Sequence, residues 1–111
     1  MVTIQASAPQ ALLAAIKKAI DSNRIQTWTY DSDGDFTHTA QQWNRKAWLR
    51  PSVQSGGLSL SILPPNGTAL SKEVYAIYHG RFIEMVLAHF DTEFSGASAT
   101  AMPVMSDVVR G

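Results

Sequence analysis

"AWLRPSVQSGGLSLSIL", residues 47–63, is the stretch on which the fold turns. Apolar residues alternate on both sides of Ser55-Gly56, so a two-residue turn there pairs Val53 with Leu58, Pro51 with Leu60 and Leu49 with Ile62. These six side chains then share one face, while Trp48, Arg50, Ser52, Ser59, Ser61 and Leu63 take the other. Pro51 has no amide donor, which places its strand at an edge or makes it irregular at that point.

Upstream, "IQTWTY" (25–30) and "FTHT" (36–39) read as a shorter hairpin. A two-residue Asp33-Gly34 turn would set Trp28 and Tyr30 opposite threonines. A three-residue loop, Ser32-Asp33-Gly34, puts Gly34 at the left-handed position and pairs Tyr30 with Phe36 and Trp28 with His38. The second register gathers the large rings on one face and is preferred.

Helices flank the two hairpins. Leu12, Leu13, Ile16 and Ile20 recur at helical spacing. Ser7 is the expected N-cap, Pro9 stands in the first turn, Gln10 completes a capping box, and Asn23 is the stop. After the break "PPNG" (64–67), Ser71 opens a longer helix with Val74, Tyr78, Phe82, Met85, Val86 and Phe90 along one broad stripe. Ile77, Ile83 and Leu87 lie beside that stripe, and Gly80 stands inside the helix at a cost of roughly 1 kcal/mol relative to alanine. "ASATAMP" (97–103) offers a short last strand, although its small residues favour strands weakly.

The expected fold is therefore α+β: a single domain over 1–111, with an antiparallel sheet of two consecutive hairpins, an N-terminal helix and a long C-terminal helix packed on it. Residues 1–6 and 104–111 are expected to be flexible ends. The 45% hydrophobic and 16% charged composition suits a folded chain, and nine basic residues balance nine acidic ones. No global field then favours nucleic acid or an anionic membrane. With no cysteine, disulfides and thiolate chemistry are excluded, which fits a cytoplasmic location of bacterial type. The N-terminal stretch lacks the early basic region of a signal peptide, and no apolar run is long enough to span a bilayer, so no membrane association is expected.

Four stretches carry candidate chemistry. Asp31, Asp33 and Asp35 match the first, third and fifth positions of a calcium loop, but Phe36 stands where its glycine belongs and Gln42 where its glutamate belongs. The stretch reads instead as a hairpin tip, with Asp31 and Asp35 facing and repelling each other. "WNRKAWLR" (43–50) interleaves Trp43 and Trp48 with Arg45, Lys46 and Arg50 and contains no acid, a pattern able to stack bases and hold phosphates. His89 and Glu93 stand four apart and would need a third ligand to hold a metal, while Arg81 and Glu84 have the spacing of a surface pair. His38, with Tyr30 and Arg50 as neighbours, or His79 would serve acid–base catalysis only within a deep pocket.

The expected role is a small soluble, non-catalytic binding or regulatory module acting through protein contact, a second copy of the chain among its candidate partners. No cofactor, metal or catalytic set is assigned. The rival is a nucleic-acid-binding domain using Trp43, Arg45, Lys46, Trp48 and Arg50; a small enzyme ranks below both.

Overall fold

The computed structural model describes residues 1–107. Six strands and two helices follow in the order β1 (Val2–Gln5), α1 (Pro9–Asp21), β2 (Trp28–Tyr30), β3 (Phe36–His38), β4 (Trp48–Gln54), β5 (Gly57–Leu63), α2 (Lys72–His89) and β6 (Gly96–Ala99). They build one antiparallel sheet in the order β2-β3-β4-β5-β1-β6.

Both hairpins adopt the registers that collect apolar residues on one face. Trp28 pairs with His38 and Tyr30 with Phe36, and Gly34 takes φ +83° as the three-residue loop requires. Leu49 pairs with Ile62, Pro51 with Leu60 and Val53 with Leu58. Although β4 is interior in strand order, its pairing with β3 is confined to Phe36 and Leu49. From Arg50 onward no strand among the described residues pairs with β4 on that side, and Pro51 falls in this locally open stretch.

Residues 1–6, read as a flexible end, instead supply β1 between β5 and β6. Val2 and Ile4 are fully buried on the inner face, and this burial holds a strand too short to be recognised alone. Gly57 makes the close pairing feasible, because a Cβ there would meet the Ile4 carbonyl oxygen at 2.9 Å. In 104–107, also read as flexible, Asp107 is buried and hydrogen-bonded. The remainder of that expectation, 108–111, lies outside the described residues.

Helix α1 starts one step differently from expectation. Pro9 occupies the first turn and makes Ala8 the N-cap, so Ser7 lies too early to bond the first-turn amides, and no side chain caps the helix. Pro9 removes one donor that would otherwise need a partner. Asn23 ends the helix at φ 62°. Ser71 caps α2 as expected, its Oγ accepting from the Val74 amide at 3.1 Å.

One core joins the inner sheet face to both helices: Leu12 and Ile16 of α1, Tyr78, Phe82 and Val86 of α2, and Leu49, Leu58, Leu60 and Ile62 of the hairpin strands. Leu87, at the margin of the α2 stripe, stays 55% exposed. Gly80 faces open space with nothing near its missing Cβ. Gly80→Ala is therefore expected to raise stability by about 1 kcal/mol in urea unfolding, since alanine adds helix preference without a clash. An unchanged or lower midpoint would contradict this exposed placement.

Candidate functional site

Both helices pack on one side of the sheet, so among the described residues no helix covers the other face. Its side chains are mostly small and polar: Ser52 stands opposite Ser59, Arg50 opposite Ser61, and Thr3 opposite Ser59 on the next strand. The large exception is Trp48, half-buried and paired across strands with Leu63.

Two shallow depressions flank Trp48. One is lined by Tyr30, Asp31, Asn44 and Arg45 with three threonines, and the other by Asp31, Asp35, Arg50, Leu63 and Pro64-Pro65-Asn66. Arg45 also borders a third hollow, which it shares with Trp43, Lys46, Leu70, Glu73 and Val74 at the start of α2. Indole, cations and carboxylates thus meet at one end of the uncovered face.

The acidic hairpin tip is organised by its own amides and by Arg50. Asp31 accepts from the Asp33 and Asp35 amides, both at 3.0 Å. Asp35 is buried and receives a bidentate contact from Arg50, with Nε at 3.1 Å and Nη2 at 2.8 Å. The facing Asp31 and Asp35 are therefore separated in role: one carboxylate caps the loop and the other fixes Arg50 on the sheet. The Arg50 guanidinium is held further above its ordinary range by the hydrogen bonds to Asp35 and by the neighbouring charge.

The five residues singled out from sequence divide between two surroundings. Trp48, Arg45 and Arg50 border the depressions on the open face, whereas Trp43 packs against the core and shares the third hollow with Lys46. The cause is the turn over 40–46, in which Trp43 and Asn44 both bond back to the Ala40 carbonyl, at 2.9 and 2.8 Å. Buried Thr37 and Tyr78 tie that turn down: Thr37 Oγ1 accepts from the Arg45 amide at 3.1 Å, and the Tyr78 hydroxyl donates to the Trp43 carbonyl. Thr37 and Tyr78 were not among the sequence candidates. Strand parity alone sets Thr37 opposite in facing to Phe36 and His38, and only the packing of α2 brings Tyr78 to it.

His38 and His79 are buried and hydrogen-bonded to the backbone. His38 lies edge-on to Trp28 at 5.1 Å, and its Nδ1 accepts from the Ala40 amide at 3.1 Å. Burial, then the nearby Arg81, pushes its pKa below the ordinary histidine value. His79 is buried with Nδ1 against the Tyr75 carbonyl at 2.7 Å, so Nδ1 carries the proton, and burial also lowers its pKa. Neither ring lines the depressions beside Trp48. Arg81 and Glu84 form the expected surface pair at 3.6 Å. His89 and Glu93 border a depression with Lys18 and Arg24, two cations that oppose a metal ion there. Among the described residues the single grouping of three metal-type ligands is Asp31, Asp33 and Asp35, of which the Asp31 carboxylate is taken up by loop amides and the Asp35 carboxylate by Arg50.

No helix among the described residues is long and apolar enough to cross a membrane. The chain matches no protein-family model, no curated protein and no solved structure.

Proposed function

We propose that this protein is a small non-catalytic binding module that works through a protein contact, its partner seated on the uncovered sheet face around Trp48. The observation that carries this reading is the half-buried indole beside Leu63, set between two depressions in an otherwise polar, helix-free face. A large ring partly shielded by its neighbours is the residue type that dominates contact energies when a partner completes its burial. Surrounding serines and threonines provide a polar rim with low side-chain entropy to lose. The bidentate Asp35–Arg50 contact keeps that end of the surface in one conformation before binding.

A nucleic-acid reading draws on Arg45 and Lys46, exposed cations near two indoles. The same surface includes Asp31 and Asp35 beside Trp48, and the chain has a formal net charge of +0, both of which work against a polyphosphate.

A photo-crosslinker at Ser61 tests the two readings together. Incubated with a lysate of the source organism, it is expected to yield protein adducts that survive nuclease and that Trp48→Ala reduces by about thirtyfold, the equivalent of a hot-spot loss near 2 kcal/mol. A crosslinker at Glu84, on exposed α2, serves as the control and is expected to yield none. Adducts that vanish with nuclease would support the nucleic-acid reading instead.

A further inference from the structure

We propose that the turn over 40–46 is the anion-recognition element of this surface, and that the partner carries a carboxylate-bearing segment beside the apolar residue that meets Trp48. This rests on the protein-contact reading above and specifies the chemistry of the partner.

Arg45 is the central observation. Its φ of 58° lies in the left-handed region, where glycine or asparagine is the ordinary occupant and a long side chain is disfavoured. The conformation is held by buried groups: the Arg45 amide donates to Thr37 Oγ1, which in turn lies 3.0 Å from the Tyr78 hydroxyl. The local backbone gains nothing from arginine at this position. A strained residue fixed by a buried network and retaining a charged side chain points to a use for that side chain.

The charge closes on no carboxylate among the described residues. Among the described residues the ion pairs are Met1–Asp107, Arg50–Asp35 and Arg81–Glu84, which leave both Arg45 and Lys46 without a carboxylate at pairing distance. Asp31 borders one hollow with Arg45, and Glu73 borders the other with Arg45 and Lys46, but neither closes on a cation. An arginine fork accepts a carboxylate in a bidentate geometry, and Trp48 lines the same hollow as Arg45.

The acidic tip distinguishes a peptide from a nucleic acid. Asp31, Asp33 and Asp35 have carboxylate oxygens within 4.8 Å of one another. A nucleic acid crossing this face carries a phosphate at every step and would bring several of them to that tip. A peptide can confine its acids to the Arg45 side and place uncharged residues against the aspartates.

The test uses two labelled probes on the full chain, followed by anisotropy at low salt. One is a peptide with a phenylalanine followed by a run of glutamates, the other oligothymidylate. The peptide is expected to bind saturably and to weaken at least about tenfold in Arg45→Gly/Lys46→Gln, the scale of a lost charge-assisted contact. Arg45→Gly alone is expected to keep or raise Tm, by up to about 4 °C, because glycine relieves the left-handed backbone. Weakening by Trp48→Ala but not by the double variant would overturn the anion assignment while leaving the protein-contact reading in place. Peptide binding indifferent to both would remove both readings, as would absence of peptide binding together with tight oligothymidylate binding. Absence of binding to either probe overturns the anion assignment and leaves the crosslinking result to decide the contact reading.

Discussion

Trp28→Ala is expected to cost about 4 kcal/mol of stability, the scale for emptying a large buried aromatic site. Trp28 is 1% exposed although it belongs to β2, a three-residue strand at the sheet edge. Three rings meet it edge-on: His38 at 5.1 Å, Phe82 at 5.2 Å and Tyr78 at 5.6 Å. Two of these come from α2, so the indole docks the β2–β3 hairpin onto the long helix. That docking matters because the hairpin joins the rest of the sheet through the short Phe36–Leu49 pairing. In Trp28→Ala, amide exchange is expected to accelerate first in 28–38, with β4 and β5 protected until global unfolding. Urea unfolding measures the total loss, and a cost below about 2 kcal/mol would show that the hairpin is held elsewhere. Because domains of this size are stable by roughly 5–15 kcal/mol, a loss of about 4 kcal/mol leaves the folded variant populated, and Trp28→Phe is the milder companion.

Asp107→Ala is expected to cost about 3 kcal/mol, by leaving buried donors without an acceptor. Its Oδ1 accepts from the Ile62 amide at 2.8 Å and its Oδ2 from the Val104 amide at 2.9 Å and the Met1 amino group at 3.1 Å. The Ile62 amide lies beyond the reach of β1, whose pairing with β5 ends at Val2 and Leu60, so the carboxylate takes over where the strand stops. Burial by itself would raise the Asp107 pKa, but the Val104 and Ile62 amides and the Met1 charge outweigh it and hold the carboxyl below its ordinary value. The folded state therefore binds this proton less readily than the unfolded chain. The stabilisation is complete above the unfolded pKa near 4 and is lost as pH falls through the lower folded value.

His38 and His79 act in the same direction over a different range. Both have folded pKa values pushed below 6.5, so the folded chain resists protonation and loses stability as pH falls below about 6.5. Wild-type stability is thus expected to decline in two stages, and Asp107→Ala to abolish the lower one while keeping the upper. A variant that still declines in both stages would refute the role given to Asp107.

Much of this architecture is legible in short stretches because each burial decision there is local. Alternation through 49–62 leaves one register that buries Leu49, Leu58, Leu60 and Ile62 together, and the three-residue loop at Gly34 does the same for Tyr30 and Phe36. The stripe of α2 is likewise written at helical spacing. β1 was missed because four residues cannot signal a strand unless their neighbours are known, and its neighbours, β5 and β6, begin more than fifty and ninety positions later.

The surface was less legible than the fold. Trp43 and Trp48 look equivalent in "WNRKAWLR", yet the turn at 40–46 sends Trp43 against the core and leaves Trp48 on the open face. Asp31 and Asp35 look like a repelling pair until Arg50, fifteen residues away, draws Asp35 to itself.

By itself the sequence determined the hairpin registers, both helices and the balance of charge, because periodicity, turn chemistry and composition act over a few adjacent residues. Tertiary structure alone decided the place of β1, the anchoring of Asp107, the strained pose of Arg45 and which tryptophan meets solvent. Each of these depends on a hydrogen bond or packing contact between segments far apart in the chain, and such contacts exist only once the sheet and α2 have come together.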